Sequence, residues 1–140
     1  MPRRRKLHLL IIDHSMLAQN MYDFLFSGAH QGSYHLNFID SISKLKKLRI
    51  HEQPDVLILN SNAIERDEVL HRGKIPTLLL CSADRTDLKE SYAEAKGMIL
   101  VDKPFYPYDL LLLINHLVQN HTKKTSKVKK AKRTTRRDKR

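Results

Sequence analysis

The chain has 140 residues, 41% hydrophobic and 29% charged, enough for one soluble domain with a real core. Cys81 is the only cysteine, which excludes an intrachain disulfide and fits a reducing cytoplasm. The net charge of +11 is unevenly placed: Arg3, Arg4, Arg5 and Lys6 give +4 and residues 122–140 give +10, leaving −3 for residues 7–121. This division predicts a basic arm over 1–6, a mildly acidic folded domain over 7–121 and a Lys/Arg-rich tail over 122–140. The apolar stretches Leu7–Ile12 and Leu110–Ile114 are too short for a signal peptide or a membrane span.

Leu7 to Ile12 predicts a first, buried strand. Asp13-His14-Ser15 breaks it, and Ser15 is a suitable N-cap for a helix carrying Met16, Leu17, Met21, Phe24 and Leu25, with Gly28 as its stop. Tyr34 to Ile39 predicts a second strand. Ser41 or Ser43 would cap a helix through Ile42, Leu45, Leu48 and Ile50, and Pro54 closes that connection. Val56 to Leu59 is a continuous apolar run that suits a parallel strand buried on both faces, and it ends on Asn60-Ser61-Asn62.

A short helical piece is expected over Ile64 to His71, ended by Gly73. Pro76 to Cys81 predicts a fourth strand. Asp84, with Asp87 three residues on, would open a helix through Leu88, Tyr92 and Ala95 that Gly97 stops. Met98 to Val101 predicts a fifth strand. Pro107 suits the first turn of a last helix carrying Leu110, Leu113, Ile114 and Leu117. Five strands alternating with five helices imply a parallel sheet covered on both faces. In such a sheet, chemistry sits just beyond the carboxyl ends of the strands, where Asn60 falls.

Four clusters follow strands one, three, four and five: Ile12-Asp13-His14-Ser15, Asn60-Ser61-Asn62, Cys81-Ser82-Ala83 and Asp102-Lys103-Pro104-Phe105. Together they resemble the receiver domain of bacterial response regulators over about residues 7–120, with Lys-Pro-Phe after the fifth strand as the most specific part. The resemblance implies a flavodoxin-like (CheY-like) α/β fold, strand order 2-1-3-4-5, in a bacterial cytoplasmic protein.

The resemblance also implies a phosphorylation pocket. Its nucleophile position is Asn60, its acidic pair Asp13 and His14, its hydroxyl position Cys81 (or Ser82 if the alignment slips by one) and its lysine Lys103. The aromatic switch position is Leu100. Only Asp13 and Lys103 keep the expected type. An amide is a poor, uncharged nucleophile, and Mg²⁺ prefers anionic oxygen ligands, so Asn60 and His14 argue against acyl-phosphate chemistry. The pocket reads as degenerate, with no catalytic residue, no metal and no cofactor. Asp13 and Lys103 are expected to form a structural ion pair across the strand ends, with a remnant anion or ligand pocket as the alternative. His14 would be a loop residue and Cys81 a packing thiol.

The last helix needs one apolar stripe, and Leu111, Leu112 and Val118 are left over. With Tyr92 and Tyr108 they form an expected protein-partner or homodimer surface. In the tail, Lys123, Lys124, Lys127, Lys129, Lys130, Lys132, Arg133, Arg136, Arg137, Lys139 and Arg140 stand among only two apolar residues, Val128 and Ala131. That composition predicts disorder in isolation and sequence-independent binding to nucleic acid by counterion release. An anionic membrane surface is the less favoured target. The expectation is an atypical receiver module in signal transduction that works by phosphorylation-independent protein binding, with no enzymatic output. Two alternatives are a phosphorelay receiver with unusual phosphoacceptor chemistry, and a small nucleoid-associated DNA-binding protein that uses the fold to dimerise.

Overall fold

A computed structural model describes residues 6–15, 17–29, 34–47 and 53–119. Five strands form: β1 (Leu7–Ile12), β2 (Tyr34–Ile39), β3 (Val56–Asn60), β4 (Thr77–Cys81) and β5 (Met98–Asp102). Every pairing is parallel, and the order across the sheet is β2-β1-β3-β4-β5. This matches the expected order. The reason lies in the strand sequences: Val56 to Leu59 and Leu78 to Cys81 are all 0% exposed, so β3 and β4 must be covered on both faces.

Alternate strand residues supply two cores. On one face Leu9, Ile11, Val56, Ile58, Leu78 and Leu80 pack with Tyr22, Leu25 and Phe26 of α1 (Ala18–Ala29). Leu110, Ile114 and Leu117 of α3, which runs over 109–119, complete this face. On the other face Leu10, Ile12, Leu57, Leu59, Leu79 and Cys81 pack with Ile42, Leu45, Ala63, Ile64, Leu70 and Leu88. Leu88 belongs to α2 (Thr86–Tyr92).

The helices on this second face are shorter than expected. Between β2 and β3 the chain makes a 3-10 turn over Ile42–Lys47 instead of an α-helix. Residues three apart eclipse in a 3-10 turn, so Ile42 and Leu45 enter the core together. Leu48 and Ile50 lie outside the described residues.

The helical piece expected over Ile64 to His71 does not form. A 3-10 turn over Ser61–Ala63 is followed by irregular chain as far as β4. The Arg85 guanidinium donates to the carbonyls of Ser61 (2.8 Å) and Ile64 (2.6 Å), the second of which an α-helix over this stretch would have used internally. The Glu68 carboxylate accepts from the Glu65 N–H (2.9 Å), and Asp67 sits at φ 68°, outside helical space.

Some helix ends also differ. Gly28 lies inside α1 and not beyond it. Asp84 does not cap α2: Arg85 is the cap residue, without a side-chain cap bond, and it holds Asp87 instead. Gly73 (φ 58°) and Gly97 (φ 70°) are in left-handed conformations shortly before β4 and β5, where a glycine costs least.

Candidate functional site

Asp13 follows β1, Asn60 ends β3 and Lys103 follows β5, so the sheet order brings all three to one end of the fold. They form a closed cluster. Asn60 Nδ2 donates to Asp13 Oδ2 at 3.0 Å, and the Lys103 ammonium donates to Asn60 Oδ1. Asp13 and Lys103 are therefore linked through the amide and do not form the direct ion pair expected from sequence. A primary amide suits this place because it carries a donor and an acceptor in fixed geometry.

Asn62 adds a second layer. Its Nδ2 donates to Asp13 Oδ1 (3.0 Å), its Oδ1 accepts from the His14 N–H (3.0 Å), and its own N–H donates to Asn60 Oδ1 (3.1 Å). The Ser15 N–H also donates to Asp13 Oδ1 (2.8 Å). The Asp13 carboxylate thus accepts from three N–H donors. Burial pushes the Lys103 ammonium below its ordinary pKa, and the Asp13 charge opposes that shift.

The other expected pocket residues are arranged differently. His14 is exposed, and its backbone N–H is what joins the cluster. Cys81 is 0% exposed and packs in the second core, with Sγ 3.5 Å from the Arg85 carbonyl oxygen; burial raises its thiol pKa. Ser82 bonds through its hydroxyl to the Ser61 hydroxyl (3.1 Å) and not to Asn60 or Lys103. Ser61 is 1% exposed and also accepts from the Ser82 N–H at 3.1 Å. Leu100 is half-buried against the second core.

Ser61, Asn62 and Arg85 were not expected as site residues. The polar run Asn60-Ser61-Asn62 was the available signal for the first two. For Arg85 there was none, because its partners are backbone carbonyls of a distant loop.

The residues of the expected partner surface differ in exposure. Leu112 and Tyr108 are exposed at 69% and 51%. Leu111 and Val118 are half-buried against the first core, and Tyr92 against the second, because the sheet faces extend wider than a single helical stripe. Tyr106, which was not expected, is exposed, and its ring centroid lies 5.5 Å from that of Tyr108. The basic tail lies outside the described residues. Among the described residues no helix is long and apolar enough to cross a membrane.

The fold is shared with solved structures of receiver domains. The signal receiver domain of an HD domain-containing protein from Pseudomonas fluorescens superposes with TM-score 0.67 at 16% identity, covering 90% of this chain and 96% of that one. A response regulator receiver modulated diguanylate cyclase from Pelobacter carbinolicus gives 0.59 at 18% identity, with 86% and 98% covered. The chemotaxis response regulator CheY4 of Vibrio cholerae gives 0.52 at 18% identity, with 81% and 99% covered. The architecture is thus the flavodoxin-like fold of CheY-like response-regulator receivers. No family model matches the sequence, and no curated protein sequence matches it.

Proposed function

We propose that this chain is a signal-transduction receiver module that binds a protein partner in one fixed state, without forming an acyl phosphate and without enzymatic output. One observation carries this reading: the Asn60 amide joins Asp13 to Lys103. A phosphoacceptor would have to be a carboxylate there, and Mg²⁺ would have to displace amide donors from Asp13. The similar structures, one described as a receiver-modulated cyclase and one as a chemotaxis regulator, support a role in signalling. The exposed Tyr106, Tyr108 and Leu112 are the proposed partner surface. The tail from Lys123 to Arg140 is proposed to bind nucleic acid without reading sequence.

The test is incubation with acetyl phosphate and Mg²⁺, followed by intact-protein mass measurement. No phosphoryl adduct is expected. An adduct on the folded protein would move the reading to a phosphorelay receiver with unusual chemistry.

A further inference from the structure

Two helices cover the first core, and their outer sides are unlike the rest of the surface. The rings of Tyr22 and Phe26 in α1 pack against Phe38 and Tyr34 of β2, so α1 lies over that edge of the sheet. Five strands about 4.8 Å apart span about 19 Å, which two helices about 10 Å apart fill. α3, seated on the same core by Leu110, Ile114 and Leu117, therefore runs beside α1. Phe24 stands two positions from both Tyr22 and Phe26, and Leu112 two positions from both Leu110 and Ile114; all four neighbours are buried. At about 100° per residue, Phe24 and Leu112 each point away from the buried side of their helix. Phe24 is accordingly 74% exposed.

This layer is also depleted of charge. Of the 28 residues in 17–29 and 105–119, only Asp23 and Asp109 are charged, and none is Lys or Arg. The segments over the second core, 40–47, 64–74 and 84–96, carry 17 charged residues in 32, nine of them Lys or Arg. Among the described residues the exposed large hydrophobics are Leu17, Phe24, Val69, Tyr106, Tyr108 and Leu112. All but Val69 lie in α1, in α3 or in the turns that lead into them. Few charges together with exposed aromatic and leucine side chains is the composition of an interface centre. The polar residues on the outward stripes are Asn20, Ser27, Asn115 and Gln119, all exposed.

We infer that the α1/α3 face binds a second copy of this chain about a two-fold axis, so that two helices from each copy form a four-helix layer between two sheets. The inference rests on the proposed working by protein association through Leu112; it names the occupant and adds α1 to the surface. Two observations select a second copy. A two-fold contact sets one patch against itself, so the patch must be complementary to itself. Amides and hydroxyls both donate and accept, and apolar groups match their like, whereas a patch of one charge repels its own copy. The second observation is the net charge of +11: two such chains repel, and this face lets them meet without opposing Lys or Arg. An axis perpendicular to the helices runs them antiparallel, which sends the two copies of Asp109, in the first turn of α3, to opposite ends. Asp23 falls on the flank of α1, about 100° from Phe24.

The experiment is sedimentation of the nuclease-treated full chain over about 1–200 μM at low and high salt. A monomer–dimer equilibrium is expected, and it should tighten as salt rises, because screening removes the repulsion between copies while the contact has no ion pair to lose. The variants are Phe24→Glu and Leu112→Glu, with Val69→Glu on the other face as the control, each checked for an intact fold by circular dichroism. The first two are expected to raise the dimer dissociation constant about ten-fold or more, and the control to leave it unchanged. A monomer across the whole range overturns the second copy; the partner reading is then decided separately, by whether Leu112→Glu lowers capture of another protein. A dimer that either Phe24→Glu or Leu112→Glu leaves intact overturns the α1/α3 face. So does a dimer that Val69→Glu weakens equally or that rising salt dissolves.

Discussion

Asn60 does two jobs that a carboxylate could not do together without a metal: it donates to Asp13 and accepts from Lys103. Asn60→Asp keeps the acceptor and loses the donor, and it sets two carboxylates against each other. Without metal the variant is expected to lose about 1–3 kcal/mol of stability. Millimolar Mg²⁺ should raise its melting temperature slightly and leave the unaltered protein unmoved, because His14 occupies what would be a further ligand position. Thermal melts with and without Mg²⁺ check this, and a metal-free variant more stable than the parent would contradict it.

Tyr22 shows a second residue-scale effect. It is 1% exposed, and burial, with a smaller contribution from the Asp13 charge, pushes its phenol well above the ordinary pKa of 10.0. A raised folded-state pKa means that this contribution is complete below the unfolded value and is lost as pH rises from there towards the folded one. Stability should fall above pH 10, by at most about 1.36 kcal/mol per pH unit from this group. Tyr22→Phe should remove that share of the fall in urea unfolding followed across the alkaline range. An unchanged alkaline slope in the variant would refute the assignment.

At the scale of elements, α3 divides its apolar residues between core and surface. Ile114 is 0% exposed and Leu112 is 69% exposed, although they are two positions apart. Ile114→Ala should therefore cost about 2–5 kcal/mol. Leu112→Glu should shift stability by no more than about 0.5 kcal/mol. If Tyr108, in the turn before α3, and Leu112 within it belong to the partner surface, Leu112→Glu should lower partner capture while the fold stays intact. Unchanged capture would remove that surface.

The elements also show where local reading fails. Strands were legible because a buried parallel strand must be apolar on both faces, as in Val56-Leu57-Ile58-Leu59. α3 was legible from its stripe. The segment 64–76 was not. Ile64 and Leu70 carry a helix-like apolar pattern, and both are indeed buried. Arg85, however, takes the Ile64 carbonyl that a helix there would need. A contact made across 21 residues leaves no trace in local periodicity.

For the whole molecule, the charge division has one direct consequence. Removing residues 122–140 takes +10 from a net +11. Among the described residues the two cores are built from Leu7 to Val118, and the tail has only two apolar residues, so the truncated chain should melt within a few degrees of the full one. Its affinity for duplex DNA should drop sharply at low salt. Equal DNA binding by the truncated protein would refute the role of the tail.

The sequence by itself determined the position of every strand, which follows from apolar runs and from what ends them, both local properties. The class of fold and the meeting of Asp13, Asn60 and Lys103 were expected from the resemblance to receiver domains. Only the tertiary structure decided how the neighbours bond. It interposed the Asn60 amide where an ion pair was expected, recruited Asn62 to Asp13, buried Cys81 and tied Ser82 to Ser61. Hydrogen bonds depend on distances and directions that are fixed only when strands remote in sequence lie side by side.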